Sequence, residues 1–251
     1  MAVEHRSGAA FTLDGNRFRA FSPPGGGGFD ARFDPGATNF TASDDRLYML
    51  DAWGGLWHAR EEEPPAPLAP PDGGPGPRHA REASLVWDRQ SRRLVLFGDR
   101  GENDTWTFDG SWRELRPRTP PPPGPGRAVA TPAGVHLLVG EQLWVLADDE
   151  WTCLLLDHTI LAHRPLFDPR RGRLLTVGNT VAVLDRDGFR HVAAVPPTAG
   201  ATDEMGIDPI GDRLVRVTDH GVEDLALSSL VLEAPRRRDS DTWLGTGPIE
   251  A

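Results

Sequence analysis

Three side chains of complementary chemistry, Arg127, His163 and Asp203, recur along the sequence at nearly regular intervals. A guanidinium can hold a carboxylate through two parallel hydrogen bonds. An imidazole changes its protonation state near neutral pH and can carry protons, and a neighbouring carboxylate can orient it. If the fold brings the three together, they predict acid–base chemistry on a small molecule that bears a carboxylate.

Further polar residues fall near the same points of the sequence and are candidate ligand contacts. They are Asn39, Arg81, Glu82, Arg164 and Glu204. A simpler interpretation applies to all of these positions, because polar side chains on surface loops often only face water.

The composition excludes much enzyme chemistry. All 27 basic residues are arginine, so a Schiff-base lysine, a phosphate-loop lysine and a kinase-type lysine–glutamate pair are impossible. The single tyrosine, Tyr48, and the single cysteine, Cys153, allow no disulfide within the chain and no multi-cysteine metal site. His158 and His163 would point to opposite faces of an extended strand. We therefore predict no metal site and no cofactor.

The negative net charge of the chain limits the kinds of partner that it can bind. A net charge of −10 and a pI of about 5.2 disfavour nucleic acid and anionic membranes. The N-terminus carries Glu4, His5 and Arg6 where a signal peptide needs an apolar stretch, and no run reaches the roughly 18 apolar residues of a membrane span. We expect a soluble, cytoplasmic monomer with a small-molecule or protein partner.

A repeat organises most of the chain. An apolar stretch ends in Asp, a short turn follows, and Arg-Leu opens a second apolar stretch. Three copies share one spacing, from Asp88 to Arg93, from Asp168 to Arg173 and from Asp208 to Arg213. Degenerate copies centred on positions 14, 44 and 132 extend the pattern to a period of about 40 residues.

Each full unit continues with two more strand-like segments. The last of these opens with an aromatic residue and has an apolar residue three positions on, as in Trp112 with Leu115 and Trp151 with Leu154. Turn residues such as Asp109-Gly110 close hairpins, and Pro/Gly tracts separate the units. Four strands of roughly five residues fill such a unit.

Four-stranded units of about 40 residues are typical of a β-propeller. We predict an all-β fold, a single propeller domain over residues 1–251, with four antiparallel strands in each blade. The predicted blades span about residues 37–70, 79–117, 124–157, 162–195 and 203–234. Residues 1–36 together with 235–251 could supply one more, which would leave the ring no exposed edge. Six blades are therefore preferred, with five as the alternative.

Residues 84–88, 93–98 and 103–115, with 163–168, resemble a bacterial kelch repeat, the blade type also found in the galactose oxidase propeller. The kelch double glycine is reduced to single residues at Gly98, Gly140 and Gly178, and the usual third-strand tyrosine is absent. The resemblance implies a kelch-like architecture. It does not imply galactose-oxidase chemistry, because the copper site of that family needs two tyrosines.

In a propeller whose first strands line the channel, the residue five before each repeat anchor should occupy one equivalent position at the channel mouth. These positions hold Ala9, Asn39, Ala83, Arg127, His163 and Asp203. Two functions remain open. The favoured one is a non-catalytic scaffold that binds a protein or a small molecule at the mouth. The alternative is an isomerase, cyclase or lyase that uses Arg127, His163 and Asp203, and the fold does not decide between them.

Overall fold

A computed structural model describes residues 2–3, 10–14, 17–21, 39–43, 46–50, 54–60, 66–69, 76–77, 83–98, 102–157, 164–178, 180–185, 188–194, 204–208, 211–218 and 221–230. Its regular structure is antiparallel β-sheet, apart from a short 3₁₀ helix at Leu227–Ser229. Turn-rich sequence between short runs of Leu, Val, Trp and Phe explains this, because such runs fit half-buried strands and Gly/Pro tracts interrupt helices.

Five consecutive sheets are the blades of the propeller, and each is ordered along the chain from its first strand outwards. The first blade is β4 (Asn39–Ala42), β5 (Leu47–Leu50), β6 (Leu56–Ala59) and β7 (Ala66–Ala69). The second is β8 (Ser84–Asp88), β9 (Arg93–Phe97), β10 (Thr105–Phe108) and β11 (Trp112–Leu115). The third is β12 (Gly126–Thr131), β13 (Gly134–Val139), β14 (Gln142–Ala147) and β15 (Glu150–Leu156). The fourth is β16 (Arg164–Asp168), β17 (Arg173–Val177), β18 (Thr180–Asp185) and β19 (Gly188–Ala194), and the fifth is β20 (Glu204–Asp208), β21 (Arg213–Thr218) and β22 (Gly221–Ala226).

The first strands of successive blades lie side by side and form the inner wall. β8 contacts β4 on one side and β12 on the other, and β16 lies between β12 and β20. The predicted all-β propeller with four-stranded antiparallel blades is confirmed by this arrangement. The end of the blades at which the first strands begin is called the mouth end below, and the opposite end is called the hairpin end.

The preference for six blades is wrong, and the alternative of five stands. The N-terminal residues form a separate sheet of β1 (Ala2–Val3), β2 (Ala10–Asp14) and β3 (Arg17–Phe21), with β1 beside β20. In the blades, the strand that ends at the repeat anchor lies at the inner edge of its sheet. Here β2, which ends at Asp14, is the central strand of three. The strands proposed for residues 29–33 and 242–244 lie outside the described residues.

Buried aspartates hold the hairpins at the hairpin end. Asp168 is fully buried at the end of β16, accepts hydrogen bonds from the backbone of Arg170 and Arg171, and receives Arg173 Nε at 3.0 Å. Asp208 has the same role in the fifth blade, with Arg213 Nε at 2.9 Å. The spacing from Asp to Arg in the repeat thus reflects an ion pair across the first residues of a hairpin.

The second blade keeps the aspartate of the repeat, but its arginine pairs with an aspartate of another blade. Asp88 accepts from Gln90 N and is bonded by the Ser91 hydroxyl. Arg93 instead reaches into the third blade, where its Nη1 lies 2.6 Å from Asp149 Oδ1. Arg113 Nη2 contacts the other oxygen of Asp149 at 3.1 Å. The arginine of the repeat therefore closes a hairpin in the fourth and fifth blades, whereas in the second blade it joins that blade to the next one.

Apolar clusters fill the seams between neighbouring blades. The seam between the second and third blades contains Phe97, Leu137 and Trp151, and the seam between the fourth and fifth contains Leu175, Val183 and Leu214. The second strands of the first four blades are buried at almost every position, because these blades bury side chains on both faces. The alternating strand pattern expected of a sheet with one wet face is absent there for the same reason.

The outer strands of three blades contain a β-bulge at one equivalent place. The unpaired residues are Leu68 in β7, Leu154 in β15 and Val192 in β19. Leu154 and Val192 are the apolar residues found three positions after the aromatic one in the sequence. Bulges twist an edge strand away from regular pairing, which protects an exposed sheet edge from other strands.

A hydrogen bond distinguishes two equivalent tryptophans. Trp151 Nε1 donates to Thr105 Oγ1 of the preceding blade at 2.9 Å in a fully buried seam. Trp112 opens the outer strand of the second blade in the same way, but the first blade has Leu56 where the second has Thr105. Among the described residues, the buried Trp112 Nε1 has no hydrogen-bond partner.

We expect Trp151→Phe to lower the free energy of unfolding more than Trp112→Phe does, by about 1–2 kcal/mol. Both changes leave a similar cavity, but only the first leaves a buried hydroxyl without its donor. Chemical denaturation of the two variants measures the difference. Equal losses would contradict the proposed role of the Trp151–Thr105 bond.

The aspartates of the hairpins allow a second matched comparison. Asp168→Asn should be more destabilising than Asp88→Asn by about 1–3 kcal/mol. An amide can still accept from the turn backbone in both hairpins, whereas the charge-assisted bonds from Arg171 and Arg173 are lost only at Asp168. Urea denaturation midpoints at constant m-value give the comparison, and a larger loss for Asp88→Asn would refute it.

Candidate functional site

The predicted site residues divide into those that the structure describes and those that it does not. Arg127 is the second residue of β12, and Arg164 opens β16. Asn39 and Glu204 open β4 and β20. His163, Asp203, Arg81 and Glu82 lie outside the described residues, as does Ala9, and their part in a site stays a prediction.

Strand register identifies the equivalent positions at the mouth end. The second and third strands pair at equivalent places through Leu50 with Leu56, Phe97 with Thr105, Leu138 with Leu143 and Val177 with Val181. The outer-strand bulge marks the equivalence, because it directly follows Leu56, Leu143 and Val181 of the third strands. The residues of the first strand opposite the four second-strand residues are Asn39, Ser84, Arg127 and Arg164. Glu204, opposite Val217, holds the position in the fifth blade. These five residues are called the mouth ring.

The mouth ring corrects the predicted alignment by one residue. In the third blade Thr131, and not Pro132, takes the place of the anchoring aspartate, because Thr131 pairs with Gly134 as Asp168 pairs with Arg173. Arg127 is therefore equivalent to Arg164 rather than to His163. By the same register Glu204 holds this position in the fifth blade. Register matters here because a shift of one residue moves a side chain to the other face of a strand.

The same shift explains Ala83, for which the sequence predicts a place at the mouth equivalent to that of Arg127. Ala83 is buried and belongs to the apolar cluster between the first and second blades. Ser84 holds the ring position instead. Sequence reasoning missed Ser84, although the register of three intact repeats, counted from Asp88, Asp168 and Asp208, could have found it.

Ser84 shows what a small polar residue does in the ring. Its Oγ accepts a hydrogen bond from Ala128 N of the next blade at 2.8 Å and so joins β8 to β12. The fourth-blade equivalent of Ala128 is Pro165, which has no N–H. Arg127 therefore faces no backbone donor of this kind, and an arginine side chain has no acceptor to offer.

The two arginines of the ring lie on adjacent inner strands. Arg127 is exposed, and Arg164 is half-buried. Side chains alternate along a strand, so Arg127 shares its face with Val129, which packs in the seam between the third and fourth blades. Arg164 shares its face with Leu166, which packs in the seam between the fourth and fifth. Each arginine is thus directed from its own blade towards the next.

Perturbed pKa values are found away from the ring. Burial lowers the pKa of His136 on β13, a shift that its backbone contact with Gly134 only partly offsets. Hydrogen bonds from Arg171 lower the pKa of Asp212 across the seam between the fourth and fifth blades. Burial acts to raise the pKa of Asp149, but the hydrogen bonds and charges of Arg93 and Arg113 outweigh it and lower the pKa. Asp149 and Asp212 thus join neighbouring blades through ion pairs, whereas His136 contacts residues of its own blade.

Cys153 behaves as an inert side chain of the outer strand β15. It is partly buried, and burial raises the pKa of its thiol above the ordinary value. A thiol with a raised pKa is largely protonated at neutral pH and reacts slowly. Among the described residues, no group of three or more His, Cys, Asp or Glu side chains could hold a metal ion.

Comparison with solved structures shows the propeller fold. One match is a structural genomics protein of unknown function from Bacteroides thetaiotaomicron VPI-5482, with a TM-score of 0.58 and 11% identity over 89% of this chain and 65% of that one. A candidate gluconolactonase has a TM-score of 0.52 and 14% identity over 72% and 70% of the two chains. The extracellular domain of a candidate one-component system from B. thetaiotaomicron has a TM-score of 0.54 and 12% identity over 86% and 31%.

The chain thus spans 65% of the length of the first of these structures. No family model matches the sequence, and no curated protein matches it either. At such low identities the likeness extends to the fold alone. Within the described residues, no helix has both the length and the apolar character needed to cross a membrane.

The seam bond of Ser84 predicts a contrast between two ring positions. Ser84→Ala should lower the free energy of unfolding by about 1–2 kcal/mol, because it leaves Ala128 N–H without its acceptor. Arg127→Ala should change it by less than about 0.5 kcal/mol, since exposed side chains contribute little. Thermal and urea unfolding measure both. A loss at Arg127 as large as that at Ser84 would show that the arginine is structural.

Proposed function

We propose that the protein is a non-catalytic propeller scaffold that binds a small molecule at the mouth ring. The observation that carries this proposal is the polarity of one register position in every blade. Asn39, Ser84, Arg127, Arg164 and Glu204 differ in charge and size but are all polar. The residues that follow them are Phe40, Leu85, Ala128, Pro165 and Met205, which are all apolar.

Binding is favoured over acid–base catalysis by the register. The catalytic alternative placed Arg127, His163 and Asp203 at equivalent positions, whereas the paired strands make Arg164 and Glu204 the equivalents of Arg127. An arginine has no proton to exchange near neutral pH, since its pKa lies above about 12. Two arginines in the ring therefore favour holding a ligand over proton transfer.

We further propose that the blades are of the kelch type and that the protein acts as a monomer in the bacterial cytoplasm. Single glycines follow the second strands of three blades, and Gly98 and Gly140 adopt positive φ there, at 90° and 56°. An aromatic residue opens or nearly opens the outer strand in the same blades, at Trp112, Trp151 and Phe189. Both features agree with a degenerate kelch pattern.

The proposed function can be tested by blocking the mouth. In a Cys153→Ser background, Arg127→Cys labelled with a bulky maleimide would obstruct the ring, and Thr152→Cys labelled in the same way places the bulk on the exposed outer strand β15. Both proteins are equilibrated by dialysis with a bacterial metabolite extract. Retained compounds are identified by mass spectrometry.

Compounds held by the protein labelled at position 152 should be absent from the protein labelled at position 127, and they should be recovered with unchanged mass. Equal retention by the two proteins would place binding away from the mouth. A compound converted to a new mass by the Thr152→Cys protein would indicate catalysis and reject the non-catalytic scaffold.

A further inference from the structure

The connection between the second and third blades is rich in proline. It joins β11 to β12, and its ten residues, 116–125, read RPRTPPPPGP. This segment is called the proline tract below. Proline fixes its own φ near −65° and disfavours helical backbone in the residue before it. Four successive prolines, residues 120–123, therefore favour a polyproline II helix, which has three residues per turn.

The burial of the proline tract repeats with the period of that helix. Pro121 is buried, whereas Pro120 and Pro123, three positions apart, are both exposed. Residues three apart in a polyproline II helix lie on one ridge, about 9 Å from each other. One ridge of the helix thus faces the protein, and the ridge of Pro120 and Pro123 faces solvent.

The backbone of the proline tract leaves acceptor groups available. Within the part of the chain that the structure describes, no backbone carbonyl from residue 119 to residue 123 accepts a hydrogen bond. This agrees with a polyproline II helix, which makes no internal backbone hydrogen bonds. Carbonyl oxygens next to the exposed ridge can therefore accept hydrogen bonds from a partner.

Contacts at both ends hold the proline tract in place. Arg118 N donates to Glu150 Oε2 of the third blade at 2.9 Å. At the other end Gly126 opens β12 in a space too small for a side chain, because a Cβ there would lie 2.7 Å from Leu137 Cδ1 and 2.8 Å from Phe97 Cδ1. A segment that is already held in one conformation loses little entropy when a partner docks on it, and this favours binding.

From these observations we infer that the proline tract is a docking site for a protein whose binding groove is lined by aromatic side chains. Aromatic rings in such grooves pack against the exposed prolines of a polyproline II helix, and the N–H and O–H groups of tryptophan and tyrosine can donate to its carbonyls. Arg116 and Arg118 contribute little, because each is already paired with a glutamate of the protein. The inference goes beyond the proposed function, since it names a second surface and a second class of partner.

Isothermal titration of the full chain with two purified polyproline-binding modules, an SH3 domain and a WW domain, tests the inference. At least one of the two domains should bind. A double variant, Pro120→Ala with Pro123→Ala, should weaken that binding by about tenfold or more. It removes both exposed rings and also lets the backbone leave the polyproline II conformation.

Pro132→Ala is the matched control. Pro132 is exposed in the turn between β12 and β13, outside the proline tract, so its loss should change the dissociation constant by less than about twofold. Glu150→Ala leaves both ridge prolines in place but removes the acceptor of Arg118 N, so it should weaken binding by less than the double variant does. Thermal unfolding of each variant verifies that it is folded.

The inference is overturned if neither domain binds, or if the double variant binds as tightly as the unsubstituted protein. Loss of binding in the Pro132→Ala protein would also contradict it, because the contact would then lie outside the proline tract. The labelling experiment on the mouth ring judges the proposed function separately, and neither result depends on the other.

Discussion

The pairing of a buried aspartate with the turn that follows it is the constraint on which the blades depend. At Asp168 one carboxylate accepts from two backbone N–H groups and from the side chains of Arg171 and Arg173. A carboxylate buried in an apolar sheet would be unstable without such partners. With them it fixes the hairpin, and the hairpin fixes the register of the first two strands. The residue that opens the inner strand at the far end of the blade is determined by that register.

The seams between blades are held by different means at the two ends of the molecule. At the hairpin end, ion pairs such as Arg93 with Asp149 and Arg171 with Asp212 join neighbouring blades, so that charges there are largely matched within the protein. At the mouth end the described seam bond is neutral, from Ala128 N to Ser84.

The fold could be predicted from the sequence because its signals are local and repeated. Three copies of the Asp-to-Arg spacing show the hairpins, and the aromatic residues at 112, 151 and 189 show the outer strands. The number of blades could not be predicted in this way, because residues 1–36 have strand-like sequence whatever their place in a sheet. In this sheet the strand that ends at Asp14, β2, is central, whereas in the blades the corresponding strand is the innermost one. Such a strand order depends on tertiary contacts and leaves no pattern in the sequence.

The candidate site was predicted in part, and the error has a physical cause. Degenerate repeats lack the aspartate that would mark their register, so Pro132 was aligned with Asp168 although Thr131 takes that place in the paired strands. Arg127 was found, whereas Arg164 and Glu204 were placed beside the predicted trio instead of being recognised as its equivalents. Thr131 also explains how a blade keeps its hairpin without a carboxylate. Its hydroxyl accepts from Ala133 N at 3.0 Å, and Gly134 follows with a φ of +122°, so a compact turn replaces the longer one that a buried aspartate holds in the other blades with an intact repeat. The third blade thus lost the ion pair but kept its register, and Arg127 remains in line with the rest of the ring.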